Sequence, residues 1–121
     1  MIDHVAFEVS DLRRSATFYD AVLYAIGVRR VHDGDQAIAY GVTGPVLWLV
    51  QRGRPPAPGW GHVALSASGR VAVDAAHAAG VANGGRSDGS PGPRPQYGAR
   101  YYAGYLIDPD GLRVEVVSGS N

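Results

Sequence analysis

Asp3-His4-Val5-Ala6-Phe7, near the start of the chain, is echoed at its middle by Gly61-His62-Val63-Ala64-Leu65, 58 residues on. In each stretch a histidine is followed by Val, then Ala, then a large apolar residue. Both read as short strands, and a helical pattern follows each one closely. An echo that divides 121 residues near the midpoint predicts two copies of one supersecondary unit. Two histidines at equivalent places are then expected to face each other across a pseudo-twofold axis.

Working outward, Ile2 to Val9 alternates. Val5, Phe7 and Val9 share one face, and His4, Ala6 and Glu8 the other. Ser10-Asp11 supplies an N-cap for a helix whose apolar positions are Leu12, Ala16, Tyr19, Leu23 and Ile26, with Gly27 as its stop. Strands are expected at 28–32, 36–41 and 46–51. Residues 52–60 contain several prolines and glycines and read as a linker.

The second half repeats the order. A strand over 61–67 precedes a helix from about 69 to 79, capped by Ser68 and stopped by Gly80. A short strand is placed at 81–84, then a Gly/Pro/Ser loop over 85–98. Residues 101–107 and 112–117 form a hairpin around Pro109-Asp110-Gly111, a three-residue loop with glycine in the left-handed position. With that loop Asp108 pairs with Leu112, which sets Tyr105 directly opposite Glu115 on one face. A four-residue loop would move Tyr105 to the other face. The expectation is an α+β fold of paired βαβββ modules, module one at 1–51, linker 52–60 and module two at 61–121, in one domain over 1–121.

Composition excludes several classes. Eleven basic and eleven acidic residues balance, so there is no electrostatic footprint for nucleic acid or an anionic membrane. Without cysteine, any metal must use His and carboxylate. No apolar run approaches the roughly 20 residues of a membrane span, and no leader-like segment precedes the first strand. The expected compartment is the cytoplasm.

Alternation puts Glu115 on the face of its strand opposite Val114 and Val116, as His4 and His62 are on theirs. Two imidazoles and a carboxylate are a set that suits Fe(II), Mn(II), Zn(II) or Ni(II) with positions open for substrate. Taken singly, each has a plainer explanation. A strand histidine is commonly a hydrogen-bonded structural residue, and a strand glutamate commonly faces water. The repeat is what weighs against coincidence.

The paired modules, His4, Gly61-His62-Val63-Ala64-Leu65 and the terminal Asp108-Pro109-Asp110-Gly111-x-x-x-Glu115 together resemble the vicinal-oxygen-chelate superfamily. That group includes glyoxalase I, extradiol dioxygenases, fosfomycin-resistance enzymes and bleomycin-resistance proteins. Asp11 to Tyr19 is similar to the family's first helix. The resemblance implies a curved sheet cupping a divalent ion held by His4, His62 and Glu115, and a homodimer. Its modules would pack within a chain or be exchanged between chains. In the exchanged form His4 comes from one chain and His62 and Glu115 from the other.

Departures from the family narrow the activity. Glyoxalase I resembles this chain but carries a further glutamate ligand, and the equivalent place here is near Trp48, so a standard glyoxalase I is not expected. The basic anion-binding residues that follow the glutamate in fosfomycin-resistance enzymes have no counterpart. Bleomycin-resistance proteins typically lack the ligand triad, which this chain keeps. The reading is a metal-dependent enzyme on a small oxygen-bearing substrate, whether dioxygenase, lyase, isomerase or transferase. The alternative is a non-catalytic cup that sequesters a small molecule or antibiotic. Tyr105 is the candidate general acid. Trp48, Tyr101 and Arg100 are candidates for substrate contact, against core packing for Trp48 and surface positions for Arg100 and Tyr101. His77, in mid-helix, is expected at the surface.

Overall fold

The computed structural model describes residues 1–57 and 59–121; Pro58, in the expected linker, lies outside the described residues. Two βαβββ units follow one another. The first is β1 (Val5–Glu8), α1 (Leu12–Ala25), β2 (Arg29–Asp33), β3 (Ala37–Gly41) and β4 (Leu47–Val50). The second is β5 (His62–Ser66), α2 (Arg70–Ala82), β6 (Arg86–Pro93), β7 (Tyr102–Ile107) and β8 (Arg113–Ser118). Each unit builds a four-stranded mixed sheet, ordered β1-β4-β3-β2 and β5-β8-β7-β6. In both, the first strand runs parallel to the last and the other pairs are antiparallel. The sheets are not closed into a barrel, and the architecture is the α+β one expected.

Local chemistry explains the helix ends. The Asp11 side chain accepts from the Arg14 backbone N–H at 3.1 Å, and Gly27 turns the chain at φ +84° after α1. At the start of α2 the expected Ser68 cap is not used: Gly69 occupies the cap position with no side-chain bond. Nor does Gly80 end α2, which continues to Ala82 and displaces the short strand expected at 81–84. Gly80 is instead a point of close approach. A Cβ there would meet Leu106 Cδ1 at 2.7 Å, Val22 Cγ2 at 3.0 Å and Phe18 Cε1 at 3.1 Å. The missing side chain lets α1, α2 and β7 meet in one core.

The stretch read as a loop over 85–98 is largely β6. It is an edge strand, where proline is tolerated because the missing N–H faces no neighbour, and its pairing with β7 is interrupted by register shifts around Gly89. His77, expected at the surface, is buried against β6 and β7. Its Nε2 lies 3.1 Å from both Ser87 Oγ and the Tyr105 carbonyl oxygen.

The hairpin register is the expected one. Tyr105 pairs with Glu115 and Ile107 with Arg113, Asp108 N–H donates to the Leu112 carbonyl at 2.8 Å, and Gly111 takes φ +96°.

One core joins the units. Val5, Phe7, Ile38, Tyr40, Leu47 and Leu49 from the first sheet and Leu106, Val114 and Val116 from the second pack with residues of α1 and α2. The helices touch each other, and among the described residues no strand pairs across from one sheet to the other. Both helix-bearing faces therefore point inward, and both remaining faces point out from the shared core.

Replacing Gly80 by alanine tests the close approach. Helix propensity alone would favour alanine by about 1 kcal/mol, while overpacking costs about 1–3 kcal/mol. The expected result is a lower urea midpoint. A higher midpoint would mean that α2 has room to move away.

Candidate functional site

His62 opens β5, and Glu115 sits in the middle of β8, next to it in the sheet. Val114 and Val116 point into the core, so alternation turns Glu115 to the open face. There it is only 2% exposed. His62 Nε2 lies 2.9 Å from Glu115 Oε1. The other carboxylate oxygen, Oε2, accepts a short hydrogen bond from the Tyr101 hydroxyl. An ionised carboxylate so enclosed is tolerable because both oxygens have donors. That bond, then burial, then the Glu115 charge push the Tyr101 hydroxyl up to about 12.

Tyr105 stands opposite Glu115 with its ring 6.2 Å from that of His62. Burial and the Glu115 charge raise its hydroxyl as well. Its face is covered by the Arg113 guanidinium, 4.0 Å from the ring centroid, and Arg113 is paired with Asp88 at 2.8 Å. Arg94, Gln96 and Tyr97, from the turn after β6, complete the rim of a recess of about 570 Å³.

The other candidates lie elsewhere. His4 precedes β1, half-exposed, with Nδ1 held 2.6 Å from Asp3 Oδ1. Among the described residues that is its one side-chain hydrogen bond, and a ring nitrogen held by a carboxylate is a feature that histidine ligands share. Trp48 pairs with Ala6 just as Glu115 pairs with Ala64, so it occupies the equivalent place in the first unit. It faces outward beside His32, with ring centroids 5.3 Å apart. Arg100 is outside the recess and donates to the carbonyl oxygen of Asn121 at 2.6 Å.

His62, Glu115, Tyr101 and Tyr105 thus come together, while His4 and Trp48 lie on the other sheet. Among the described residues no three His, Asp or Glu side chains gather as a group able to hold a metal ion. The recess brings together two of the three expected ligands, His62 and Glu115. Arg94, Arg113, Tyr97 and Asp88 were not singled out from the sequence. Arg113 was detectable, since it shares the face of Glu115 by alternation. Arg94 and Asp88 lay in a segment read as a loop.

The superfamily profile named Glyoxalase/Bleomycin resistance protein/Dioxygenase superfamily matches residues 1–116, and the chain belongs to that superfamily. Many of its members are enzymes, and they typically bind a divalent metal. A crystal structure of a glyoxalase/bleomycin resistance protein from Albidiferax ferrireducens is 32% identical, with TM-score 0.83 over 95% of each chain. A glyoxalase-related enzyme from Fulvimarina pelagi is 23% identical, with TM-score 0.77 over 98% of this chain and 88% of that one. The fosfomycin resistance protein FosX from Mesorhizobium loti, at 18% identity and TM-score 0.72, covers 98% of this chain and 92% of its own, and shares the fold. No curated protein matches the sequence. Among the described residues no helix is long and apolar enough to cross a membrane.

The Tyr101 hydroxyl gives a pH prediction. Its folded value lies above the ordinary one near 10, so the stabilisation it carries is complete below about pH 10 and is lost as pH rises toward 12. In a difference titration of wild type against Tyr101→Phe, the phenolate that disappears should be one titrating near 12. A difference centred near 10 would show that Tyr101 and Glu115 are not bonded.

Proposed function

We propose that this chain is half of a two-copy enzyme in which His62 and Glu115 of one copy and His4 of the other hold a divalent ion, one of Fe, Mn, Ni or Zn. The observation that carries the reading is the outward-facing pair of exposed His62, on edge strand β5, and buried Glu115, on β8 beside it. His4, whose Nδ1 is held by Asp3, adjoins β1, an edge strand of the first sheet. Among the described residues, no strand pairs with the outer edge of β1 or of β5. Exposed apolar residues lie beside them. Ile2, ahead of β1, is 72% exposed, and Trp60 is fully exposed just before β5. Such residues favour a covering second copy.

A divalent ion so held would supply Lewis acidity to two neighbouring oxygens of a small substrate. The chain's own part is positional. Glu115 and His62 fix one wall, and Trp48 of the other copy supplies an apolar one. Tyr101 keeps its proton through the neutral range and donates it in a hydrogen bond to Glu115, which holds the carboxylate in place, and Tyr105 stands as the general acid toward a developing oxyanion. Trp48 at the fourth-ligand place argues against standard glyoxalase I chemistry and leaves dioxygenase, lyase, isomerase and transferase reactions. A non-catalytic cup that sequesters a small molecule has one observation in its favour: both oxygens of Glu115 are already occupied by His62 and Tyr101.

Mixing variants tests the shared site. His4→Ala and His62→Ala chains should each bind no metal alone. Unfolded together and refolded, they should recover about a quarter of the wild-type metal content, since half the dimers are mixed and each mixed dimer has one intact site. Zero recovery, beside a wild type that binds metal, would place all three ligands within one chain. A wild type that takes up none of the four ions would leave the binding cup.

A further inference from the structure

We infer that the recess beside Glu115 selects an acid: a small molecule whose oxyanion, carboxylate or phosphoryl, is taken by Arg94, with a planar body lying against Tyr97 and Tyr101. This deepens the proposed function by naming a substrate class for the same site.

Arg94 is fixed from its backbone outward. Its N–H donates to the Tyr101 carbonyl at 2.8 Å, and its own carbonyl accepts from Tyr97 N–H at 3.0 Å. Its guanidinium is then laid back along β6, with Nη2 donating to the Ser90 carbonyl at 2.7 Å and Nη1 to that of Pro93 at 3.4 Å. The two glycines of β6 make room for this. A Cβ at Gly92 would sit 3.3 Å from Arg94 Nη1, and one at Gly89 would sit 3.1 Å from Tyr105 Cδ2 and 3.7 Å from Arg94 Nη2. The glycines that make this segment look like a loop thus seat an arginine.

Among the described residues no carboxylate pairs with the charge so placed. None of the ion pairs among the described residues includes Arg94. The nearby carboxylates are committed, Asp88 to Arg113 and Glu115 to His62 and Tyr101. A guanidinium has five donors in a planar fork, and these contacts leave most of them for an anion. Arg94 and His62 both border the Tyr105 ring, at 5.7 Å and 6.2 Å from its centroid. One small molecule can therefore reach from the guanidinium to the Glu115 pair. Tyr97 and Tyr101, with centroids 5.3 Å apart, wall the path between. Tyrosine faces suit a flat ligand.

The test uses the full chain and three probes of one shape: benzoate, phenylphosphonate and neutral benzamide. Binding is followed by the amide resonances of Gly89, Gly92 and Tyr97 in wild type, Arg94→Gln and Arg94→Lys, with metal content measured on the same samples. Wild type should prefer an acid to benzamide. Arg94→Gln should lose roughly ten- to a hundredfold in acid affinity with benzamide unchanged, and Arg94→Lys should fall between. The better of the two acids identifies the oxyanion. Equal binding of acids and benzamide by wild type, or acid affinity untouched in Arg94→Gln, would overturn the inference, and the wild-type comparison needs no variant to fold. Metal content reports on the proposed function separately. Arg94-dependent acid binding without metal would defeat that reading and leave this one, and metal with Arg94-independent binding would do the reverse.

Discussion

Two carboxylates in one tight turn hold the two units in place. Among the described residues, every side-chain hydrogen bond between the first unit and the second ends on Asp108 or Asp110. Tyr19 donates to Asp108 Oδ2 at 2.7 Å, and Ser10, Arg14 and Ser15 converge on Asp110. Asp108 is buried, and its remaining oxygen accepts the N–H groups of Asp110 and Leu112, each at 2.9 Å. Leaving one buried partner unsatisfied costs about 1–3 kcal/mol, so the turn resists any rearrangement that breaks these contacts. The same turn sets the β7–β8 register. A slip of one residue would carry Glu115 away from Tyr105 and turn its strand's apolar set outward. The geometry at Glu115 therefore depends on a contact with α1, on the far side of the sheet.

Packing the units through their helices decides where chemistry can occur. The shared core takes the inner face of each sheet, and Gly80 and Gly85 allow Phe18 to come close. What remains for ligands is the pair of outer faces, which a single chain cannot bring together. The unpaired edges at β1 and β5 and the exposed apolar residues near them are what such an arrangement leaves uncovered. They would be a liability in a monomer.

The repeat, the helix at 12–25, the hairpin register and the outward set of Glu115, Tyr105 and Tyr101 were legible because each rests on a local signal: period, cap or turn. The misses came where tertiary contacts overrode those signals. Gly80 looks like a stop, yet its lack of a side chain serves helix–helix contact. Pro91, Pro93, Gly89 and Gly92 look like a loop, yet an edge strand with interrupted pairing accommodates them. Polar His77 looks exposed, but it has Ser87 and a carbonyl to bond inside. The long-range roles of Asp108 and Asp110 leave no trace in their neighbours, since the turn chemistry would read the same without them.

The quasi-equivalence of the units explains why their outer faces differ. Ala6–Trp48 and Ala64–Glu115 are matching pairs at matching places in matching sheets. At that place one unit carries an indole and the other a carboxylate. Around Trp48 stand Ala6, Ala39 and His32, while around Glu115 stand His62, Tyr101, Tyr105 and Arg113. The two units supply matching frames, and different residues at that place and around it make one outer face apolar there and the other charged. In the proposed two-copy site a ligand between two such walls would be oriented by their difference, which two identical faces could not do.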